Sequence, residues 1–431
     1  MTLHGEKQQE KWRDFAAGIT MGTAMVPVFV LVPLMLREVG MDFAGAYTAS
    51  VLAAILGTLV MGLLRLPLAL MPSVAMSSYL VYLVGISQGL SWQQLLGAGF
   101  AASAVGSFLS CLSVGRWLRE AVPPVICRLI PGGIGVMLII TGLIQSRILV
   151  RSPWTVSMLG NFQDPMAYLG LMGILLTLIM MAMQFRGALL WGFAFMSVVS
   201  FAEGFWAVPD APFMLPEGLD KVAGQLNLVA ENDGEAVHLI AAVLTLLVIW
   251  GSMNWSALQV LPEELRESRK KAKSLTAIFA MGCVSSLGGS LPVSLSPVSA
   301  VGMSCGGRGF MTALGAAILL TAALFCEPAL RSLADFPVMV VPVLVGAGFM
   351  LIQRMIREFQ HHSVKWDLPE LAAAASLLLI MPLSGSMAAG LGAAVIGYCL
   401  LHGVAGEGKQ IPVASWLLAA MFVLYFVYAA L

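Results

Sequence analysis

Charge is what this sequence has least of. Lys and Arg together number 23, Asp and Glu 23, and charged residues make up 11% of the chain, for a formal net charge of zero. A soluble domain has roughly a quarter of its residues charged, so the main solvent of this chain is lipid. The charge balance also excludes a nucleic-acid partner, which needs a basic surface. Cysteine is scarce too. Cys111, Cys127, Cys283, Cys305, Cys326 and Cys399 are scattered through apolar segments without a CxxC pair. That excludes a disulfide scaffold or a cysteine zinc site and leaves small buried hydrophobes. His238, Glu203 and Glu327 stand isolated near segment ends, with no spacing that suits metal ligation or acid–base work, so an enzyme is excluded and no cofactor is expected.

What the chain has instead is apolar length. Hydrophobic residues make up 59% of it, and apolar runs near the roughly 20 residues needed to cross a bilayer recur about fourteen times from Phe15 almost to Leu431. The opening "MTLHGEKQQEKWRDF" is polar and the first apolar run is a full span, so no cleavable signal peptide is expected. Basic residues gather at Lys7, Lys11 and Arg13, at Arg116 and Arg119, in "ELRESRKKAKS" (264–274) and in "QRMIREFQHHSVK" (353–365). The stretch 210–235 between them is acidic and poor in basic residues. By the positive-inside rule these basic stretches share the cytoplasmic side, which predicts a multi-pass inner-membrane protein with a cytoplasmic N-terminus. Membrane lipid is its first partner.

The stretch 210–235 divides the chain into two halves whose segments correspond in order. The third segment of the first half reads "LPLALMPSVAMSSYLVYL" (66–83), and its counterpart in the second half contains "GGSLPVSLSPVSAVGMSCGGR" (288–308). Both place Pro, Ser and small residues where a span should be most apolar. "RLIPGGIGVML" (128–138) likewise corresponds to "VVPVLVGAGFML" (340–351). Small residues also serve helix packing in bilayers, but packing alone leaves Pro72, Pro292 and Pro297 unexplained. Unpaired backbone is tolerated at membrane depth only inside protein or beside a cavity. Paired, interrupted segments in matching positions of two halves point to a transporter site at the midplane. The expected geometry is two half-helices meeting tip to tip, with N–H groups at Val74, Ala75, Val298 and Ser299 facing a small-molecule substrate.

Nearly end to end, the sequence resembles the nucleobase:cation symporter-2 superfamily, in its adenine/guanine/hypoxanthine permease branch. The matching stretches include "DFAAGITMGTAMVPVFVLVPLMLREVGMDFAGAYTASVLAAILGTLVMGLL", "LPLALMPSVAMSSYLVY", "RLIPGGIGVMLIITGL", "SAVGMSCGGRGFMTAL" and "VKWDLPELAAAASLLLIMPLSGSMAAGLGAAVIGYCLL". The resemblance implies an all-α polytopic fold of about fourteen spans as seven plus seven inverted repeats. It divides the chain into a core domain (12–115 and 236–330) and a gate domain (116–209 and 336–431), with the broken third and tenth segments meeting at the midplane. It also implies alternating access by movement of the core against the gate, and a homodimer.

The departure from the family concerns its carboxylates. Members carry an acidic residue in the eighth segment and a Glu at the tenth segment's tip; here the corresponding positions are Leu247, Trp250 and Val298. From 242 to 305 the only acidic residues are Glu263, Glu264 and Glu267, in the expected cytoplasmic loop. The expected substrate site comprises Ser73, Val74, Ala75, Ser77, Ser78 and Tyr79 at the third segment. Trp250 and Asn254 join it from the eighth, and Ser294, Ser296, Val298, Ser299 and Ala300 from the tenth. One reading keeps a purine or related heterocycle, stacked on Trp250 or Tyr79, with Asn254 and serine oxygens accepting from its N–H groups. A second is a carrier of a small anion (oxyanion, carboxylate or anionic heterocycle such as urate), drawn to helix N-termini that no carboxylate offsets. A third is a non-transporting sensor derived from a permease, which leaves the preserved prolines and serines without a reason.

Overall fold

The computed structural model describes residues 3–111, 122–150, 152, 157–185, 188–205, 213–230, 232–258, 268–296, 298–328, 330, 337–361, 366–385 and 387–430. Several positions raised above lie outside the described residues: Arg116, Arg119, Asp210, Glu263, Glu264, Arg266, Glu267, Pro297 and Lys365, with the expected domain edges at 115–116, 209, 336 and 431.

The first half runs through α1 (Leu3–Glu38), α2 (Phe43–Leu63), strand β1 (Leu70–Pro72), α3 (Val74–Ser78) and α4 (Trp92–Cys111). It continues with α5 (Pro124–Gln145), a hairpin of β2 (Leu149–Val150) and β3 (Met158–Leu159), α6 (Pro165–Ala182) and α7 (Ala188–Ala202). A short α8 (Leu219–Val222) sits in the linking stretch. The second half repeats the order with α9 (Asp233–Thr245), α10 (Gly251–Ala257), α11 (Ser268–Leu287), strand β4 (Val293–Leu295), α12 (Ser299–Ser304) and α13 (Phe310–Phe325). After α14 (Val341–His361) come α15 (Leu368–Ala375), α16 (Met381–Ser384), α17 (Met387–Val404) and α18 (Val413–Ala430). The fold is thus all-α, polytopic and built on the expected inverted repeat, with a strand where each broken segment was expected.

Helix starts follow local chemistry. The Asp42 carboxylate accepts from the Gly45 N–H at the head of α2 (3.0 Å), Asp164 from Met166 at α6 (3.0 Å), and Asn232 from Glu235 at α9 (2.8 Å). Each satisfies a donor that a helix leaves unpaired. At 1.5 Å per residue, the 21 residues of α2 reach roughly 30 Å, a hydrocarbon thickness. Among the described residues, three π-helical stretches interrupt the α-helices: Tyr79–Ser87 continues α3, Leu246–Trp250 joins α9 to α10, and Ser376–Ile380 joins α15 to α16.

The helices pack in two groups. In one, α1 and α2 lie on α13, and α4 lies on α11; in the other, α5 lies along α14. The α5–α14 pair is the one suggested by the two matching glycine-rich stretches, and glycine explains its closeness. A Cβ on Gly135 would fall 2.7 Å from the Gly348 carbonyl oxygen, and one on Gly348 2.5 Å from that of Gly135. Only hydrogen fits at this crossing.

The linking stretch is stitched across the first helix group rather than hanging free. The Glu217 carbonyl accepts from Thr48 on α2 (3.1 Å), and Lys221 pairs with Asp42 (3.7 Å). The N–H groups of Met214, Gly224 and Asn227 donate to the carbonyls of Phe325, Leu287 and Gln93 at 2.9, 2.8 and 2.9 Å. Those contacts tie one strap to the ends of α2, α4, α11 and α13.

Candidate functional site

Proline sets the geometry of the two broken segments. Residues preceding proline are biased to extended backbone, and here Met71 precedes Pro72 while Leu291 precedes Pro292. The chain therefore leaves the helix at both places, and the two extended pieces meet as an antiparallel ribbon. Leu70 lies opposite Leu295, Met71 opposite Ser294, and Pro72 opposite Val293; all six are buried.

A two-stranded ribbon at membrane depth exposes edge N–H groups that hydrocarbon cannot satisfy. In this register the N–H groups of Leu70, Val293 and Leu295 point away from the partner strand, and side chains take up each of them. Thr58 Oγ1 of α2 accepts from Leu70 (3.3 Å), Ser285 Oγ of α11 from Val293 (3.3 Å), and Asn254 Oδ1 of α10 from Leu295 (2.6 Å). The remaining outward position is Pro72, which has no N–H. Beyond the ribbon, Ser299 Oγ accepts from the Ala69 N–H (2.9 Å) and donates to the Ala69 carbonyl (3.3 Å), which also accepts from the Ser296 N–H (2.9 Å). The hydroxyl of Ser294 donates to the Met71 carbonyl at 3.4 Å. The two tips are thereby fixed to each other and to three surrounding helices.

Several expected roles change in light of this geometry. Asn254 was expected to accept from a substrate; both ends of its amide are engaged within the protein. Besides receiving Leu295, it donates through Nδ2 to the Trp250 carbonyl at 2.8 Å. That bond closes the helix just after the π-helical stretch that contains Leu247 and Trp250. Trp250 was expected to offer a ring face; it is 1% exposed and packed edge-on to Phe279 of α11, with ring centroids 4.9 Å apart. A Cβ on Gly282 would lie 2.8 Å from its indole, so this ring is committed to packing between helices. The N–H groups of Val298 and Ser299 were expected to face a ligand. Instead, Val298 donates to Ser296 Oγ (3.1 Å) and Ser299 to the Ser296 carbonyl (3.0 Å). Ser296 thus caps the tip of α12 from inside.

The other expected residues remain around the tips. Ser73 and Val74 are half-buried, while Val298, Ser299 and Ala300 are buried in the first turn of α12. The Ser73 carbonyl accepts from the Ser77 N–H (2.8 Å), and the buried Ser77 hydroxyl has no hydrogen-bond partner among the described residues. Ala75 and Ser78 lie in α3, but their side chains fall outside the described set. Tyr79, buried at the start of the π-helix, has its ring centroid 5.9 Å from that of Tyr425 on α18. Sequence reasoning missed Thr58, Ser285 and Tyr425. The first two carried a weak signal as hydroxyls inside apolar helices; Tyr425 carried none.

In chemical terms the site has backbone carbonyls, hydroxyls and an aromatic ring, and no ionisable group in the ribbon or in either first turn.

Residues 13–334 match the model of the Permease family. Among curated proteins, the chain is 29% identical to a putative permease of Methanocaldococcus jannaschii, over 96% of this chain and 94% of the relative. It is 27% identical to the guanine/hypoxanthine permease PbuO of Bacillus subtilis, over 97% of each. With the adenine permease AdeP of Escherichia coli it shares 25% identity, over 96% of this chain and 92% of the relative. Among solved structures, the transmembrane domain of the cyanobacterial bicarbonate transporter BicA superposes with a TM-score of 0.52 at 16% identity, covering 89% of this chain and 97% of that one. SLC26A9 gives 0.55 at 11% identity, covering 90% and 65%. At such identities the two structures speak to the fold alone.

Proposed function

This chain belongs to the Permease family, the nucleobase:cation symporter-2 proteins that its sequence resembles, and from that membership we propose that it carries a purine nucleobase or a related heterocycle across the membrane. It is a multi-pass secondary transporter and not an enzyme. The observation that carries the substrate reading is the absence of charge at both tips, together with the internal capping of the α12 tip. Ser296 already occupies the Val298 and Ser299 N–H groups, so that helix end draws an anion less strongly. The anion reading keeps one observation in its favour, the absence of any carboxylate at the tips, and it is tested alongside.

In this proposal the substrate lies where the first turns of α3 and α12 converge. Ser77 supplies the free hydroxyl, Ser73 lies beside it and Tyr79 supplies a ring face. Helices α1–α4 and α9–α13 form the core, α5–α7 and α14–α18 the gate, and the core moves against the gate in an elevator-like cycle. The N-terminus lies in the cytoplasm of a cell whose inner membrane holds the protein as a homodimer.

With Leu247, Trp250 and Val298 in place of the family's acids, no group at the site can exchange a proton during transport. Labelled hypoxanthine, guanine or adenine is expected to equilibrate into proteoliposomes at a rate unchanged by a protonophore. Accumulation that collapses on uncoupling would overturn the loss of proton coupling. Uptake of sulfate or bicarbonate with no purine uptake would replace the substrate reading by the anion one.

A further inference from the structure

Away from the tips, a cavity of about 1270 Å³ lies between the two helix groups, walled by α1 and the end of α12 on one side and by α6, α7 and α14 on the other. Its character changes from one end to the other. On α14, Gln353 and Arg357 lie about two and three turns beyond Gly346, against which Met181 and Leu189 pack, while Arg13 and Glu10 line the cavity from α1. Trp12 and Trp191 also line the cavity and are 66% and 58% exposed. Exposed tryptophan on a membrane protein is characteristic of the headgroup level.

The two arginines come from different helix groups. Arg13 lies over Gly306, whose φ of +96° and missing Cβ make room for the guanidinium. The adjacent Asp14 accepts a hydrogen bond from the Arg308 backbone. Among the described residues neither Arg13 nor Arg357 is held in an ion pair. Arg13 feels the nearby Asp14 carboxylate, and Arg357 faces no acid among the cavity's described lining except Glu10. Two guanidiniums outside any direct ion pair, a glutamine and apolar side chains, at an interface marked by tryptophans, match a phosphodiester with acyl chains below it.

We propose that this cavity binds an anionic phospholipid, its phosphate held between Arg13 and Arg357 and its chains lying against Met181 and Leu189. A lipid so placed touches both helix groups and sets their spacing, a role separate from the substrate site and independent of which solute is carried. A phosphatidylcholine, whose choline brings a positive charge to the same arginines, fits less well.

The test compares the thermal midpoint of the purified full chain on addition of phosphatidylglycerol, phosphatidylcholine or inorganic phosphate. Phosphatidylglycerol is expected to raise the midpoint, with the other two leaving it unchanged. In Arg13→Gln and Arg357→Gln variants, each read separately, half-saturation by phosphatidylglycerol is expected to weaken about tenfold or more, as loss of a charge-assisted hydrogen bond implies. Should Arg13→Gln not fold, the exposed Arg357→Gln carries the test, supported by native mass spectrometry of the wild type for retained phosphatidylglycerol over phosphatidylcholine. Equal response to both lipids, or an undiminished response in the variants, would overturn the proposal. A midpoint raised equally by inorganic phosphate would assign the arginines to a free anion instead of a lipid.

Discussion

Asn254→Ala is expected to abolish transport and to lower stability by about 1–3 kcal/mol, the cost of one buried backbone N–H left without a partner. That group is the Leu295 N–H, from which the Asn254 amide accepts at 2.6 Å while its Nδ2 donates to the Trp250 carbonyl at 2.8 Å. Through that one side chain, the π-helical stretch before α10 and strand β4 of the ribbon are held in a fixed relation. Neither group can turn to water, because Trp250 and Leu295 are both buried. Asn254→Asp separates the two bonds. It keeps an acceptor for Leu295 but places a carboxylate oxygen against the Trp250 carbonyl, so its stability should fall below the wild type while the ribbon persists. Thermal midpoints and initial uptake rates of the three proteins decide the matter. An alanine variant equal to the wild type in both would mean that the ribbon is held by its other contacts alone.

The second large effect is expected from Val298→Glu, which puts a carboxylate where relatives are expected to have one. Val298 is 4% exposed, so the new charge starts at a loss: a buried carboxylate without partners is costly. The variant without ligand should therefore be less stable than the wild type. A purine that offers its ring N–H groups to that carboxylate would gain a charge-assisted hydrogen bond of roughly 1.5–3 kcal/mol, or about tenfold or more in affinity. Purine should thus stabilise the variant more than it stabilises the wild type, and transport should become sensitive to pH. Small anions should lose any binding, because a fixed negative charge repels them at the tip. Val298→Gln, uncharged and of similar size, controls for shape. If Val298→Glu binds purine no better than Val298→Gln, the tip of α12 does not face the substrate.

How much of this was legible beforehand differs by level. The two halves, the broken segments and the corresponding α5 and α14 stretches could be read directly, because proline and glycine impose local backbone geometry that neighbours cannot override. That the broken pieces would meet could be argued from the need to satisfy backbone groups at membrane depth. Their register could not: it depends on Thr58, Ser285 and Asn254 reaching three particular N–H groups from three other helices. Orientation was equally hidden. Trp250 and Asn254 sit one helical turn apart, which suggested a shared face towards a ligand. Yet the indole packs against Phe279 and the amide reaches Leu295, so neighbouring elements of the protein take up both side chains. Ser296 and Ser299 were expected to serve a ligand; here the Ser296 hydroxyl accepts from the Val298 N–H, and that of Ser299 bonds both backbone groups of Ala69. A hydroxyl in a membrane span bonds the nearest unpaired backbone group, and which group that is depends on the packed fold. The last helix shows the same limit. Nothing in "FVLYFVYAAL" indicates that Tyr425 would lie 5.9 Å from Tyr79.

The central claim, that the uncharged tips hold a neutral heterocycle, is tested most directly by the thermal midpoint of the purified protein against two ligand panels, neutral purines and small anions. A ligand that binds the folded state alone adds about 2.7 kcal/mol of stability at a hundred times its Kd. The account predicts such a rise with at least one of hypoxanthine, guanine or adenine, and none with sulfate, bicarbonate or acetate. A rise with the anions and none with the purines would contradict it, and would mean that losing the carboxylates changed the cargo.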